Sequence, residues 1–343
     1  MKKQTRRFVF VAAGILVFGL GTGLIASYMG LQNIALLGQD GPPDLDYIPA
    51  DARAVAYVNV RQVMDSELRQ RIMQHIHPEG TNDADRFKQE TGIDIQTDVD
   101  EVVATVTGEG TGQRPLVLTR GRFNPTQIET VAREHGSTVE EYKGVRLLVH
   151  PDAEVGVAFV EPGVVAVGTP ASVRRAIDTK ADGQNIRKNE EVMRLVRDID
   201  DGNAWTVAHF DAITGGRQLP PEIASQLPPI TWFAASGHVN GGVRGMVRVD
   251  ARDEASAQDL RQVVQGFIAL ARLQVGTRPE FADVLNSLQL GGTGTTISLA
   301  FSIPSEVIDA LGAAAAQGLP ADRRGPVLQE RQALPELPAL PSL

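Results

Sequence analysis

The densest set of side chains able to ligate a metal is His75, His77, Glu79, Asp83 and Asp85. Histidines at i and i+2 do not share a helix face, so this pair cannot chelate from a helix. If the helix ends before Pro78, His77 alone can join the acids of the following loop. A second acidic group, Asp94, Asp98, Asp100 and Glu101, raises calcium chemistry. Its spacing departs from an EF-hand loop, and no glycine supplies the sharp turn such a loop needs. Both groups are read as solvated element ends, and no metal or other cofactor is expected. The run "TGEGTG" (107–112) follows a strand but has Gln113 where a final glycine would stand, and it leads into another strand. A phosphate cradle needs a helix N-terminus there. "GGTGTT" (291–296) runs from helix to strand and carries no lysine, so it reads as a linker. No Gly-x-Ser-x-Gly elbow and no His-Glu-x-x-His helix is present. The histidines at 135, 150, 209 and 238 fall at helix ends or on strands, where packing or surface roles are commonest. The many carboxylates leave a glycosidase-type pair open, but 2 Trp and 4 Tyr are few for a sugar-stacking cleft. No catalytic residue is assigned.

Recognition chemistry is more legible than catalysis. In "ALPELPALPSL" (333–343), Leu334, Leu337, Leu340 and Leu343 alternate with Pro335, Pro338 and Pro341 at a period of three. A polyproline II helix has three residues per turn, so the leucines would form one stripe and the prolines another. Proline forbids an α-helix interior here. The segment is read either as an unordered tail with chance regularity or as a docking peptide for a groove, on a partner or on this domain itself. Near the other end, Gly19 and Gly23 form a small-xxx-small pair that could let two spans pack closely.

That pair sits in "FVFVAAGILVFGLGTGLIASYMGL" (8–31), which contains no charge. As a helix it would be about 36 Å long, against about 30 Å of hydrocarbon in a bilayer. A cleaved signal peptide is the rival reading, but it has a shorter apolar region and a small-x-small cleavage site. Here Leu24 occupies the −3 position relative to Ala26. The Arg6-Arg7 pair lacks the rest of a twin-arginine export signal. Bases precede the span and Asp40, Asp44 and Asp46 follow it, which places the N-terminus in the cytoplasm and the rest outside, in a bacterium the periplasm or outer surface.

Composition sets further bounds. The chain has 343 residues, 33 Lys and Arg against 42 Asp and Glu, and no cysteine. Disulfides, thiol catalysis, Cys-ligated zinc, iron–sulfur clusters, c-type haem and an acylated-cysteine anchor are thereby excluded. Residues 1–39 hold four of the bases and no acid, leaving 29 bases and 42 acids, a charge of −13, on residues 40–343. So acidic a domain repels phosphate backbones, and nucleic-acid binding is not expected.

The elements that must carry any site follow in order. After the basic N-terminus (1–7) and the span come a linker (32–46) and a first half (47–180). That half reads as a strand at 54–60, a helix at 61–76, a short helix ending at Gly92, a hairpin, a helix at 125–135, a three-strand meander and a helix from Ser172. A connector (181–203) leads to a second half (204–317), in which "AWTVAHFD" resembles "AVAYVNV". A second hairpin follows, with Asn240-Gly241 offering a type I′ turn. Gly108 and Gly237 each close the first strand of their hairpin. A helix at 254–273 then places Leu260, Val263, Val264, Phe267, Ile268 and Ala271 on one face. A strand, a closing helix and a Pro/Leu-rich tail (318–343) complete the chain. Hairpins rather than βαβ units predict an α+β fold, an antiparallel sheet with helices, built by internal duplication.

The run "PADARAVAYVNVRQV", with "TGIDIQTDVDEVV" and "GTPASVRRAID" behind it, resembles a loose group of membrane-anchored exported bacterial proteins whose domain opens with a Pro-Ala-Asp-Ala turn and a strand. The resemblance covers most of residues 47–180; it implies an extracytoplasmic α+β domain and brings no active site. The function expected is a non-catalytic protein of the bacterial inner membrane, held by one span, that binds another envelope protein as a subunit or assembly factor. A carrier or sensor of an apolar ligand and a hydrolase with an unrecognised site are the alternatives. If residues 8–31 are retained as a span, the protein extracted from membranes will keep its N-terminal segment; mass spectrometry showing a mature N-terminus near residue 27 would exclude this.

Overall fold

Residues 54–59, Ala-Val-Ala-Tyr-Val-Asn, alternate in side-chain direction as a strand must. In the computed structural model they pair on both sides. The structure describes residues 41–75, 88–89, 91–108, 112–150, 152, 154–199, 202–214, 228–275 and 282–308. The strands are β1 (Ala54–Asn59), β2 (Val99–Thr107), β3 (Arg114–Gly121), β4 (Thr138–Tyr142), β5 (Val145–His150), β6 (Val155–Glu161), β7 (Val164–Gly168), β8 (Ala204–His209), β9 (Ile230–Val239), β10 (Gly242–Ala251), β11 (Gln289–Gly291) and β12 (Thr296–Pro304). They form one twelve-stranded sheet in the order β11-β12-β10-β9-β8-β1-β2-β3-β7-β6-β5-β4. Every pairing is antiparallel. The helices are α1 (Val60–Asp65), α2 (Glu67–His75), α3 (Ile95–Asp98), α4 (Pro125–Glu134), α5 (Pro170–Asp182), α6 (Glu190–Ile199), α7 (Phe210–Thr214), α8 (Glu254–Val275) and α9 (Ala282–Ser287). Helices on an antiparallel sheet make an α+β fold, as the sequence predicts.

Within the sheet β1 and β8 are neighbours, paired with Ala56 opposite Thr206 and Tyr57 opposite Trp205. Two backbone hydrogen bonds of 2.7 Å bracket this pair, Asn59 N–H to the Asn203 carbonyl and His209 N–H to the Arg53 carbonyl. Outward from it the order reads β1-β2-β3-β7-β6 on one side and β8-β9-β10-β12-β11 on the other. The β4–β5 hairpin extends the first side alone.

The two faces of the sheet are covered unequally. One face carries Val55, Tyr57, Val103, Leu118, Ala166, Trp205 and Val207 into the largest core. It packs beneath the 3₁₀ turn Pro43–Tyr47, α5 and α6. Of α6, which lies in the stretch read as a connector, Val192, Met193, Leu195, Val196 and Ile199 are all buried. The opposite face is covered in two smaller patches. One lies around Val58, Val60, Val99, Val102 and Val117, beneath α1 and α3. The other lies around Ala251, Ala257, Leu260 and Ile297, beneath α8.

The turn Pro43–Tyr47 is held by charge. Asp44 is 1% exposed and accepts from Arg120 at 2.5 and 3.2 Å, while Arg120 also bridges Glu161 at 3.0 Å. Asp46 pairs with Lys180 at 2.9 Å and Arg187 at 2.7 Å, and Arg187 also donates to the Pro42 carbonyl at 2.8 Å. Burial would raise the pKa of Asp46, but the hydrogen bonds and charges of Arg187 and Lys180 outweigh it and hold the carboxyl below its usual range. Residues 43–46, read from the sequence as the end of the linker, are thus tied to the sheet and to α5.

Several local expectations change. The helix expected at 61–76 breaks at Ser66, which is extended (φ −65°, ψ 145°). Its hydroxyl donates to the Val63 carbonyl and accepts the Arg69 N–H, ending α1 and capping α2. The meander has a fourth strand, β4, whose "TVEEY" has the exposed acids of a sheet edge rather than an apolar alternation. Lys143 (φ 49°) and Gly144 (φ 80°) turn it into β5. The Asn240-Gly241 turn is not type I′, because neither residue has positive φ. Val239 pairs with Val243, and the Asn240 carbonyl accepts the Leu68 N–H at 2.7 Å. Gly237 does not close its strand: β9 continues to Val239. Gly237 faces Ala204 across β8 and β9, whereas the residue facing Ala54 across β1 and β2 is Val106, not Gly108. "GGTGTT" connects two strands, because Gln289–Gly291 forms β11. Residues 8–31, with Gly19 and Gly23, and the tail 318–343 lie outside the described residues. Among the described residues no helix is long and apolar enough to cross a membrane.

Replacing Asp44 by Ala leaves Arg120 half-buried without its main partner. Because Arg120 keeps 30% exposure and Glu161, the expected loss is about 2–3 kcal/mol rather than the larger cost of orphaning a fully buried charge. Chemical denaturation of the variant reads it; a loss below about 1 kcal/mol would show that the clamp does not support the fold.

Candidate interaction surface

Helix α8 begins at a side-chain cap, the Asp253 carboxylate accepting the Ser256 N–H at 2.8 Å. Near that end, Ala257 and Leu260 are buried, and Val264 is partly buried among Ile230, Val249, Ile297 and Leu290. Arg261 spans to the β11–β12 turn, donating to the carbonyls of Gly292 and Thr296 at 3.1 and 3.3 Å. That turn is tight: Gly292 has φ +95°, and a Cβ there would stand 2.3 Å from the Thr296 carbonyl oxygen. Beyond α8, α9 is latched to β12, where the Ser287 hydroxyl donates to the Ser302 carbonyl and accepts its N–H, both at 2.8 Å.

The far half of α8 is different. Residues 262–271, "QVVQGFIALA", contain no charge. Leu260, Val264, Ile268 and Ala271 follow the stripe that faces the sheet and are buried or half-buried. Val263, Phe267, Leu270 and Leu273 follow the adjacent stripe, exposed by 36%, 67%, 52% and 81%. The apolar arc is therefore wider than its contact with the sheet. The sequence places Val263 and Phe267 with Leu260 on a single core face; the structure divides that face, because the sheet ends here in the three-residue strand β11. The exposed stripe offers shape and dispersion, not proton transfer or ligation.

Other groups serve the fold. Asp94 caps α3, accepting the Gln96 N–H, and pairs with Lys88 at 2.7 Å. Those bonds, the Lys88 bridge foremost, hold its pKa below the usual carboxylate range. Asp98 accepts the Asp94 N–H, and Asp100 pairs with Arg61. Glu101 is half-buried, and burial pushes its pKa up. The four acids are thus divided among separate partners, and no group of three or more metal-ligating residues forms among the described residues. His77, Glu79, Asp83 and Asp85 lie outside them, as do Leu334, Pro335, Leu337, Pro338, Leu340, Pro341 and Leu343. His135 bonds the Val131 carbonyl at the end of α4. His209 sits between Arg53 and Asp211 and makes an edge contact with Trp232 at 5.2 Å.

On the face covered by α6, a depression of about 390 Å³ is lined by Asp198, Met246, Arg248, Gly292, Thr293, Thr296 and Ser298. Arg248 bridges Asp198 and Asp250, and Arg194 reaches Asp250 at 3.3 Å. Burial would raise the pKa of Asp250, but Arg248 and Thr296 hold it down. The depression is polar and internally neutralised, unlike the apolar cavity that a carrier of an apolar ligand needs.

No protein-family model matches the chain, and no curated protein sequence matches it. Among solved structures, the chain is similar to TP0453 in crystal forms III and I, each at 10% identity with a TM-score of 0.46. Those matches cover 80% and 81% of this chain and 99% and 98% of TP0453.

The division of α8 is measurable. Leu260→Ala is expected to cost about 2–4 kcal/mol of folding stability. Phe267→Ser and Leu273→Ser should each change it by less than about 1 kcal/mol. Equal losses at 260 and 267 in denaturant titrations would mean that the second stripe belongs to the core.

Proposed function

We propose that this chain is a non-catalytic protein of the bacterial inner membrane, held by one span at residues 8–31, whose extracytoplasmic domain binds another envelope protein as a subunit or assembly factor. The observation that carries the reading is the exposed stripe Val263, Phe267, Leu270 and Leu273 on an ordered, capped helix. Water is a poor environment for four adjacent large apolar side chains, and such a stripe is the usual anchor of a helix-face interface. The location rests on the uncharged length of 8–31 and on the bases before it. The short linker before the clamped turn at Pro43–Tyr47 keeps the domain close to the bilayer, where it meets other membrane proteins rather than free solutes. We also propose that the domain is a duplication about the β1–β8 pair, with β4–β5 added to the first half; the matched strand order and the paired 2.7 Å hydrogen bonds support it.

The test compares affinity capture from solubilised membranes of the wild-type chain with that of Phe267→Asp/Leu270→Asp. The double variant is expected to fold and insert normally and to lose a specific co-purifying envelope protein by at least about tenfold, as removal of a hot-spot pair should. Retention of the same protein at the same yield would overturn the role of the stripe.

A further inference from the structure

We propose that residues 333–343 are an intramolecular ligand of the exposed α8 stripe, covering it when no partner is bound. This rests on the reading of that stripe as a binding surface and adds its regulation. The size of the stripe is the first reason. Val263 to Leu273 spans about 15 Å of helix, and one helix face is about 10 Å wide. That footprint is far below the roughly 800 Å² per partner of a specific, free-standing complex. A separate partner must therefore add contacts beyond the stripe to offset the cost of association, whereas a tethered segment can dock on the stripe by itself. A segment of the same chain avoids most of that cost, because its tether holds it at a high effective concentration.

The second reason is complementarity. Leu334, Leu337, Leu340 and Leu343 recur every three residues, a spacing of about 9 Å in a polyproline II helix, against about 11 Å for two turns of an α-helix. Two or three leucines can therefore meet Val263, Phe267, Leu270 and Leu273 along one line. Prolines limit the entropy the segment loses on docking. Its one charge, Glu336, is opposite to that of Arg272, the one charged residue of α8 after Arg261. The third reason is placement. α9, which follows α8 closely, is latched to Ser302, near the end of β12. The chain leaves β12 at Pro304 and is described to residue 308. It therefore departs from the end of the sheet at which α8 finishes. The 24 residues between 308 and 333 can span up to about 80 Å, so reach does not limit docking.

The chain has no cysteine, which allows disulfide trapping without background in the full-length protein reconstituted in lipid nanodiscs. Gly266→Cys lies beside Phe267, where a Cβ meets nothing within 4 Å, and Ala339→Cys spares every leucine and proline of the segment. The pair Gly266→Cys/Ala339→Cys is expected to form an intrachain disulfide at least about tenfold faster than the control Glu191→Cys/Ala339→Cys. Adding Phe267→Asp should return the rate to the control level. Equal rates for pair and control overturn the proposal, and so does a disulfide that forms only between two chains, which would make a second copy the occupant. The partner capture described above separates the two readings. Loss of the partner in Phe267→Asp/Leu270→Asp with no preferential trapping leaves the binding function and removes the intramolecular ligand. Preferential trapping with capture unchanged leaves the intramolecular contact and removes the binding function.

Discussion

The pairing of β1 with β8 is the constraint on which the rest of the structure depends. These strands lie 145 residues apart in sequence, from Asn59 to Ala204, yet their antiparallel ladder joins what would otherwise be two separate sheets. Tyr57 and Trp205 stand opposite one another with ring centroids 5.7 Å apart, and both are at least 98% buried. A chain with only 5% aromatic residues places two of its largest rings at this seam, where their buried area contributes most. The backbone hydrogen bonds from Asn59 and His209 continue the pairing beyond the strands. Once the seam forms, a single core of Val, Leu, Ile and Ala runs beneath α5 and α6 from Leu147 to Ala234.

Sheet geometry then decides which helices are satisfied. α6 lies over the middle of the sheet, and its apolar side chains are covered. α8 lies near the β11 edge, where three residues of strand are too few to receive its whole apolar arc. The exposed stripe is thus a consequence of where the sheet stops. At the opposite edge the same problem is solved in β4 by Glu140 and Glu141, which keep that edge in water. The two edges are therefore unlike: one carries exposed acids, and near the other lies an apolar helix face.

Electrostatics contribute by fixing positions. The buried Asp44 with Arg120, and Asp46 with Lys180 and Arg187, tie the end of the segment read as a linker to the sheet and to α5. Arg248, between Asp198 and Asp250, does the same for β10 against α6. Neither network leaves a cation free to attract a phosphate, which agrees with the acid excess of the chain.

The sequence by itself determined the α+β class, because hairpin connections force antiparallel pairing whatever the neighbours are. It also carried most helix and strand positions, such as the helix at 125–135 that forms α4, although the helix read from Ser172 starts earlier, at Pro170, where the Thr169 side chain caps it. Ser66 marks no helix boundary in the sequence, since the apolar spacing of Val63 and Leu68 continues across it. β4 carries no strand pattern in the sequence, because an edge strand need not alternate. The candidate surface was half legible. The apolar residues of α8 are plain in the sequence, but periodicity describes an arc and not what covers it. Only the tertiary structure decided that Leu260 lies inside and Phe267 outside, because that depends on how far the sheet extends under the helix, a property set by pairings between residues distant in the chain.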